Sequence, residues 1–271
     1  MIVEFIGTPG SGKTTLLRTA ANYFLASGLR PYTVIEASRV FASRTVPGKA
    51  VQLLLPHSLR QKLLWQVFYQ LSRFQQLRFK HQHQELIRLV DRWQSERPAD
   101  ASTPGRRVEF WWGQLAGYYA FLSSHIQVDE VLLLDEGFVH RVVQLFASPT
   151  EHPSQEKIVA YAGLIPQPDL VIYTIAPVEV CLQRILDRGV WPRMQGLTSY
   201  ELRQFIMNAA QAVSFMSAQL KADGWNLIEI DNSSPDFINA QQELFAKLSQ
   251  AGYLENESQV PATLQQQVST I

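Results

Sequence analysis

Residues 7–14 read GTPGSGKT, placing Gly7, Gly12, Lys13 and Thr14 in the spacing G-x-x-x-x-G-K-[ST]. The flanks fit the motif. Ile2-Val3-Glu4-Phe5-Ile6 is a short, mostly apolar run that reads as a buried strand, and Thr15 onward to Leu25 carries apolar residues at helical spacing. Strand, glycine-rich turn and helix together make a phosphate cradle. Glycine lets the backbone take positive φ and come close to a ligand. Successive N–H groups then converge on an anion, and the following helix adds its unsatisfied N–H groups and positive dipole end.

Such a loop implies a nucleoside triphosphate, with ATP and Mg²⁺ as the expected cofactors. Gly7, Thr8, Pro9, Gly10, Ser11, Gly12, Lys13, Thr14 and Thr15 are its expected nucleotide-binding residues. Lys13 suits the β- and γ-phosphates, and the Thr14 hydroxyl suits the metal. A second motif, Val131-Leu132-Leu133-Leu134-Asp135-Glu136-Gly137, reads as a buried parallel strand ending in two carboxylates. In open α/β sheets, ligands sit beyond such strand ends. Asp135 is therefore the second candidate metal ligand, or else the N-cap of the next helix. Glu136 could polarise an attacking water, accept a proton from a substrate hydroxyl, or simply favour a helix dipole.

Elsewhere the chain reads as alternating strands and helices. A β-branched and aromatic run at 32–35 predicts a second strand closed by Glu36, a candidate general base or a surface glutamate. Residues 37–56 lack a period and read as a loop or partly helical lid carrying Arg39 and Arg44. Two amphipathic helices follow in an insert at about 49–107: Leu59, Leu63, Leu64, Val67, Phe68, Leu71, Phe74 and Leu77 mark the first, and Leu86, Ile87, Val90 and Trp93 the second. From 57 to 107 there are ten Lys/Arg against four Asp/Glu, a local charge of +6 that suits either a solvated face or a cap over an anion. An aromatic helix at 110–124, a helix at 138–146, a strand at 170–175 and a helix at 178–188 come next. Arg184 and Arg188 share one helix face, and Arg193 follows in a loop, with the span 184–200 reading as a lid. These arginines could clamp a transferring phosphate or neutralise the helix C-terminus. A helix at 199–222, a strand at 226–230 and a helix at 236–251 complete a domain over 1–254, and the polar tail 255–271 reads as disordered.

Composition narrows the classes. The chain has 271 residues, 46% hydrophobic, with zero formal net charge, so nothing global draws it to nucleic acid or to a membrane. Cys181 alone gives no internal disulfide and no cysteine zinc cluster, and it reads as core packing. The six histidines show no metal spacing. The chain enters its first strand at Ile2 without a signal peptide, and no run approaches the ~18 apolar residues of a membrane span. A cytoplasmic protein acting on a small-molecule acceptor is the expectation, and a homodimer is compatible with it.

With these pieces placed, the chain resembles the thymidylate kinase and deoxynucleoside kinase branch of P-loop kinases. The resemblance rests on IVEFIGTPGSGKTTL at 2–16, LLLDEGF at 132–138, PDLVIYTIAPVEVCLQRILDRG at 168–189 and IEIDNS at 228–233. It implies a P-loop NTPase three-layer sandwich, with a five-stranded parallel sheet in the order 2-3-1-4-5 and helices on both faces. It also implies kinase chemistry, ATP-dependent phosphoryl transfer, with a lid around Arg184 to Arg193; together with the residue-by-residue reading this gives Lys13, Glu36, Asp135, Glu136, Arg184, Arg188 and Arg193 as the candidate catalytic set. One departure stands out: where that branch has an Asp-Arg pair, this chain has Asp135-Glu136, with His140-Arg141 nearby. Two other readings stay open, a nucleotide-driven switch or regulatory ATPase with a protein partner, and a nucleic-acid-handling ATPase using the basic insert.

Overall fold

The computed structural model describes residues 1–96, 105–191, 194–234 and 236–252. Its strands are β1 (Ile2–Gly7), β2 (Arg30–Thr33), β3 (Glu130–Leu134), β4 (Leu170–Ile175) and β5 (Leu227–Asp231). Its helices are α1 (Lys13–Ala26), α2 (Val34–Arg44), α3 (Val46–Leu54), α4 (His57–Gln82), α5 (Gln84–Glu96) and α6 (Gly105–His125). After β3 come α7 (Arg141–Phe146), α8 (Gln155–Ala162), α9 (Val178–Arg188), α10 (Ser199–Ala222) and α11 (Phe237–Gln250). All strand pairs are parallel, and the sheet order is β2-β3-β1-β4-β5. The fold is thus a P-loop three-layer sandwich, with the strand order that the resemblance implies.

β1 lies at the centre of the sheet, and all six of its residues are buried. Alternation sends its side chains to two different cores. Val3 and Phe5 pack with Leu16 and Phe24 of α1 and with Leu244 and Leu248 of α11. Ile2 and Ile6 join the larger core on the other face, with Phe41 of α2, Leu122 of α6, Val142 of α7, Tyr161 of α8 and Val213 of α10. A satellite core of Cys181, Ile185, Met194, Leu202 and Ile206 ties α9 to α10. Cys181 is buried there as a packing residue, its thiol pushed up to about 11 by burial.

The structure corrects the sequence reading at several places. The second strand covers Arg30–Thr33, not 32–35, and Val34 already begins α2. Thr33 caps that helix, and Glu36 closes the capping box by accepting from the Thr33 amide at 2.9 Å. This reciprocal local bonding outweighs the β-propensity of Val34 and Ile35. The stretch 37–56, read as a loop or lid, is largely helical in α2 and α3; Pro47 is tolerated because it falls in the first turn. The helix read from Phe138 starts at Arg141, after a tight turn. On α4, Leu64 and Phe68 are buried as the periodicity requires, but Leu59, Phe74 and Leu77 are exposed. The tail 255–271 lies outside the described residues.

Candidate functional site

The phosphate loop leaves the C-terminal end of β1, and Gly10 and Gly12 both take positive φ, +86° and +97°. Close packing behind the loop also demands glycine. A Cβ on Gly10 would lie 2.4 Å from the Cys181 carbonyl oxygen, and one on Gly12 would lie 2.3 Å from Asn232 Nδ2. The turn is closed by the Ser11 amide donating to Thr8 O at 3.0 Å, and α1 begins at Lys13. Thr14 is exposed on the first turn, and Lys13 is half-buried. Lys13 Nζ donates to Gly7 O at 2.9 Å and to Thr8 O at 3.3 Å, folding back over the loop.

β3 runs beside β1, with Leu134 in register with Glu4, so Asp135 emerges next to the loop. Burial lowers the Lys13 ammonium to about 8, and the charges of Glu136 and Asp135 oppose this. Burial, followed by the neighbouring Glu136, pushes the Asp135 carboxyl up, while Lys13 pulls it down. Glu136 is exposed and pairs with the guanidinium of Arg141 at 3.5 Å. Two carboxylates crowded beside an anion cradle fit a divalent cation, which would relieve their repulsion. Among the described residues, no cluster of three or more His, Cys, Asp or Glu could hold a metal ion alone. Asp135 does not cap a helix, because α7 starts only at Arg141.

The other candidates are more scattered. Glu36 sits exposed in its capping box at the start of α2, on a chain that follows β2, two strands away from β1. Arg44 pairs with the buried Glu130 at the N-terminal end of β3, opposite the phosphate loop, which removes it from the cleft. Arg184 Nη2 donates to Ser234 O at 2.8 Å, and its Nη1 donates to Asn232 O at 3.2 Å and Ser11 O at 3.5 Å. Its guanidinium also lies 4.9 Å over the Phe237 ring. Arg184 therefore braces the phosphate loop against the turn after β5. Arg188 is exposed with its guanidinium 4.9 Å over the Trp191 ring, and Arg193 lies outside the described residues. The aromatic cluster of Phe79, Trp112, Tyr119 and Phe138 is packed against itself, with Phe79 and Phe138 stacked at 5.2 Å, as part of the core.

Sequence reading passed over two residues here. Asn232 is fully buried and its Nδ2 donates to Ser11 O at 2.5 Å, bonding β5 to the phosphate loop. Glu4 is a carboxyl with no exposed surface in the central strand, accepting from the His140 amide at 2.8 Å. Burial holds it at about 8 despite the Phe138, Val139 and His140 amides nearby. The available signal was an ionisable residue inside a run otherwise apolar enough to be a central parallel strand.

No family model and no curated protein matches the chain. Among solved structures, deoxyadenosine kinase from M. mycoides with bound dCTP is similar at 10% identity and a TM-score of 0.40, over 94% of this chain and 100% of that one. Deoxyadenosine kinase from M. mycoides with products dCMP and a flexible dCDP is similar at 11% identity and a TM-score of 0.43, over 93% and 99%. Overlays this loose leave the observed strand order and phosphate loop as the grounds for the fold. Among the described residues, no helix is long and apolar enough to cross a membrane.

Proposed function

We propose that the chain catalyses ATP-dependent phosphoryl transfer to a small-molecule acceptor, a nucleoside, nucleotide or other hydroxyl compound, in the cytoplasm. The observation that carries this reading is the grouping of Lys13, Asp135 and Glu136 at the mouth of a glycine-built anion cradle. ATP would lie with its phosphates on residues 7–15, and Lys13 would leave its carbonyl partners to meet the β- and γ-oxygens. Thr14 and Asp135 would hold Mg²⁺, which when bound neutralises charge on the phosphates. The acceptor oxygen forms the new P–O bond, ADP departs, and the acceptor proton passes to a carboxylate, Glu136 or Glu36. Glu136 raises the Lys13 ammonium and pairs with Arg141 at 3.5 Å. Arg188 and Arg193 are placed in sequence to close over the phosphates, whereas Arg184 orders the loop that receives them. Catalysis of this kind rests on positioning and charge neutralisation.

Purified protein incubated with labelled ATP and an acceptor panel tests this reading. Transfer to one acceptor class is expected. Steady hydrolysis of ATP by water with no transfer to any acceptor overturns it.

A second reading, a regulatory ATPase docking on a protein, is favoured by the exposed apolar side chains of Leu53, Leu54, Phe74 and Leu77 on α3 and α4. Its mark would be phosphate release stimulated by a partner and lost in Glu136→Gln.

A further inference from the structure

We propose that Glu4 is a positioning residue that sets the place of the turn carrying Asp135 and Glu136, and through it the metal response of the nucleotide site. The inference rests on the reading of Asp135 as a Mg²⁺ ligand given above, and it concerns a side chain outside the phosphate loop and the strand-end carboxylates.

Three contacts converge. Glu4 projects from the middle of β1 into the larger core face, and its Cα partner across the sheet is Leu134, the residue before Asp135. Its Oε1 accepts the His140 amide at 2.8 Å, so the carboxyl holds the far end of the turn that Asp135 opens. Gly137 is pressed against the same carboxyl: a Cβ there would lie 2.4 Å from Glu4 Cδ and 2.5 and 2.7 Å from its two oxygens. From α8, the Tyr161 hydroxyl donates to Phe138 O at 2.9 Å. The turn is thus held by an acceptor from β1 and a donor from α8, and Asp135 and Glu136 are its first two residues. Glu4 lies only three positions before Gly7, so the strand that launches the phosphate loop also fixes the carboxylates facing it. Groups that orient a metal ligand from behind tune affinity by about 10- to 100-fold when removed.

A side chain that merely filled space would affect stability and leave the metal response alone. The test therefore compares ATP binding with and without Mg²⁺, by titration calorimetry, in the unmodified chain and in Asp135→Asn, Glu4→Ala, Glu4→Gln and Gly137→Ala. The unmodified chain should bind ATP more tightly with Mg²⁺, and Asp135→Asn should lose that gain. Glu4→Ala should lose about tenfold or more of the Mg²⁺-dependent gain, while its affinity for metal-free ATP stays near that of the unmodified chain. Glu4→Gln, which keeps an acceptor oxygen for the His140 amide, should restore the gain. Gly137→Ala reaches the same contact from the turn side and should reproduce the loss, which keeps the test decisive if Glu4→Ala fails to fold. Full Mg²⁺ gain in folded Glu4→Ala or in Gly137→Ala, with the loss present in Asp135→Asn, overturns the positioning role and leaves the metal reading standing. No Mg²⁺ gain in the unmodified chain overturns both.

Discussion

Two turns face each other across the sheet's C-terminal edge, and they are built in opposite ways. The turn after β1 is specified by its own residues: Gly10 and Gly12 supply positive φ, and Lys13 folds back on the carbonyls of Gly7 and Thr8. The turn after β3 has no residue with positive φ and owes its path to distant groups, Glu4 from β1 and Tyr161 from α8. A turn with a local cause leaves a motif in the sequence. A turn with a tertiary cause leaves only an odd residue somewhere else, here an acid in an apolar strand.

Substitutions can break this contrast or sharpen it. The largest effect falls on the self-specified turn: Lys13→Ala should lower phosphoryl transfer by about 10²–10³-fold, read as kcat/KM, because it removes a cation aimed at developing charge. The next concerns the buried acid. Glu4 stands at about 8 in the folded chain against 4.5 as its ordinary value. Between those values the native state keeps a proton that the unfolded chain has lost, so this contribution to stability is full below pH 4.5 and is lost as pH rises through 8. Urea titrations across that window should show the stability of the unmodified chain falling relative to Glu4→Gln, by at most about 1.4 kcal/mol per pH unit; parallel profiles would place Glu4 in a wetter setting than the one seen. Gly12→Ala combines a forbidden backbone region with a clash on Asn232, and should cost about 2 kcal/mol of unfolding free energy. Equal stability to the unmodified chain would mean that the loop relaxes away from β5. The smallest effect is expected at Glu36→Gln, because glutamine also closes a capping box, so stability should change by less than about 0.5 kcal/mol. With the helix start preserved, any large fall in transfer would assign Glu36 to proton chemistry rather than to capping alone.

The strands and the phosphate loop were legible because both follow from short-range patterns: apolar runs of strand length, glycines at fixed offsets, and a carboxylate at a strand end; the order of the strands came only from the resemblance to P-loop kinases. Glu36 was misplaced for an equally local reason, since Thr33-Val34-Ile35 scores as strand while the Thr33–Glu36 box starts a helix. Arg44 could not be placed from sequence, because its partner Glu130 lies 86 positions away, at the other end of the sheet. The same holds for Arg184, whose helical spacing with Arg188 suggested a shared clamp. The structure separates them, one bound to the carbonyls of Ser11, Asn232 and Ser234, the other resting on Trp191.

By itself the sequence determined that a parallel α/β sheet carries an anion cradle at the end of its first strand, because backbone freedom and hydrophobic period are properties of neighbouring residues. Only the tertiary structure decided which charges meet. Glu4 under the turn at 137–140, Arg184 behind the phosphate loop and Asn232 against Ser11 are contacts between residues 136 to 221 positions apart, made when separate elements close on one core. Hydrogen bonds and ion pairs act over a few ångströms in space, and no spacing along the chain records where the fold will bring two such groups together.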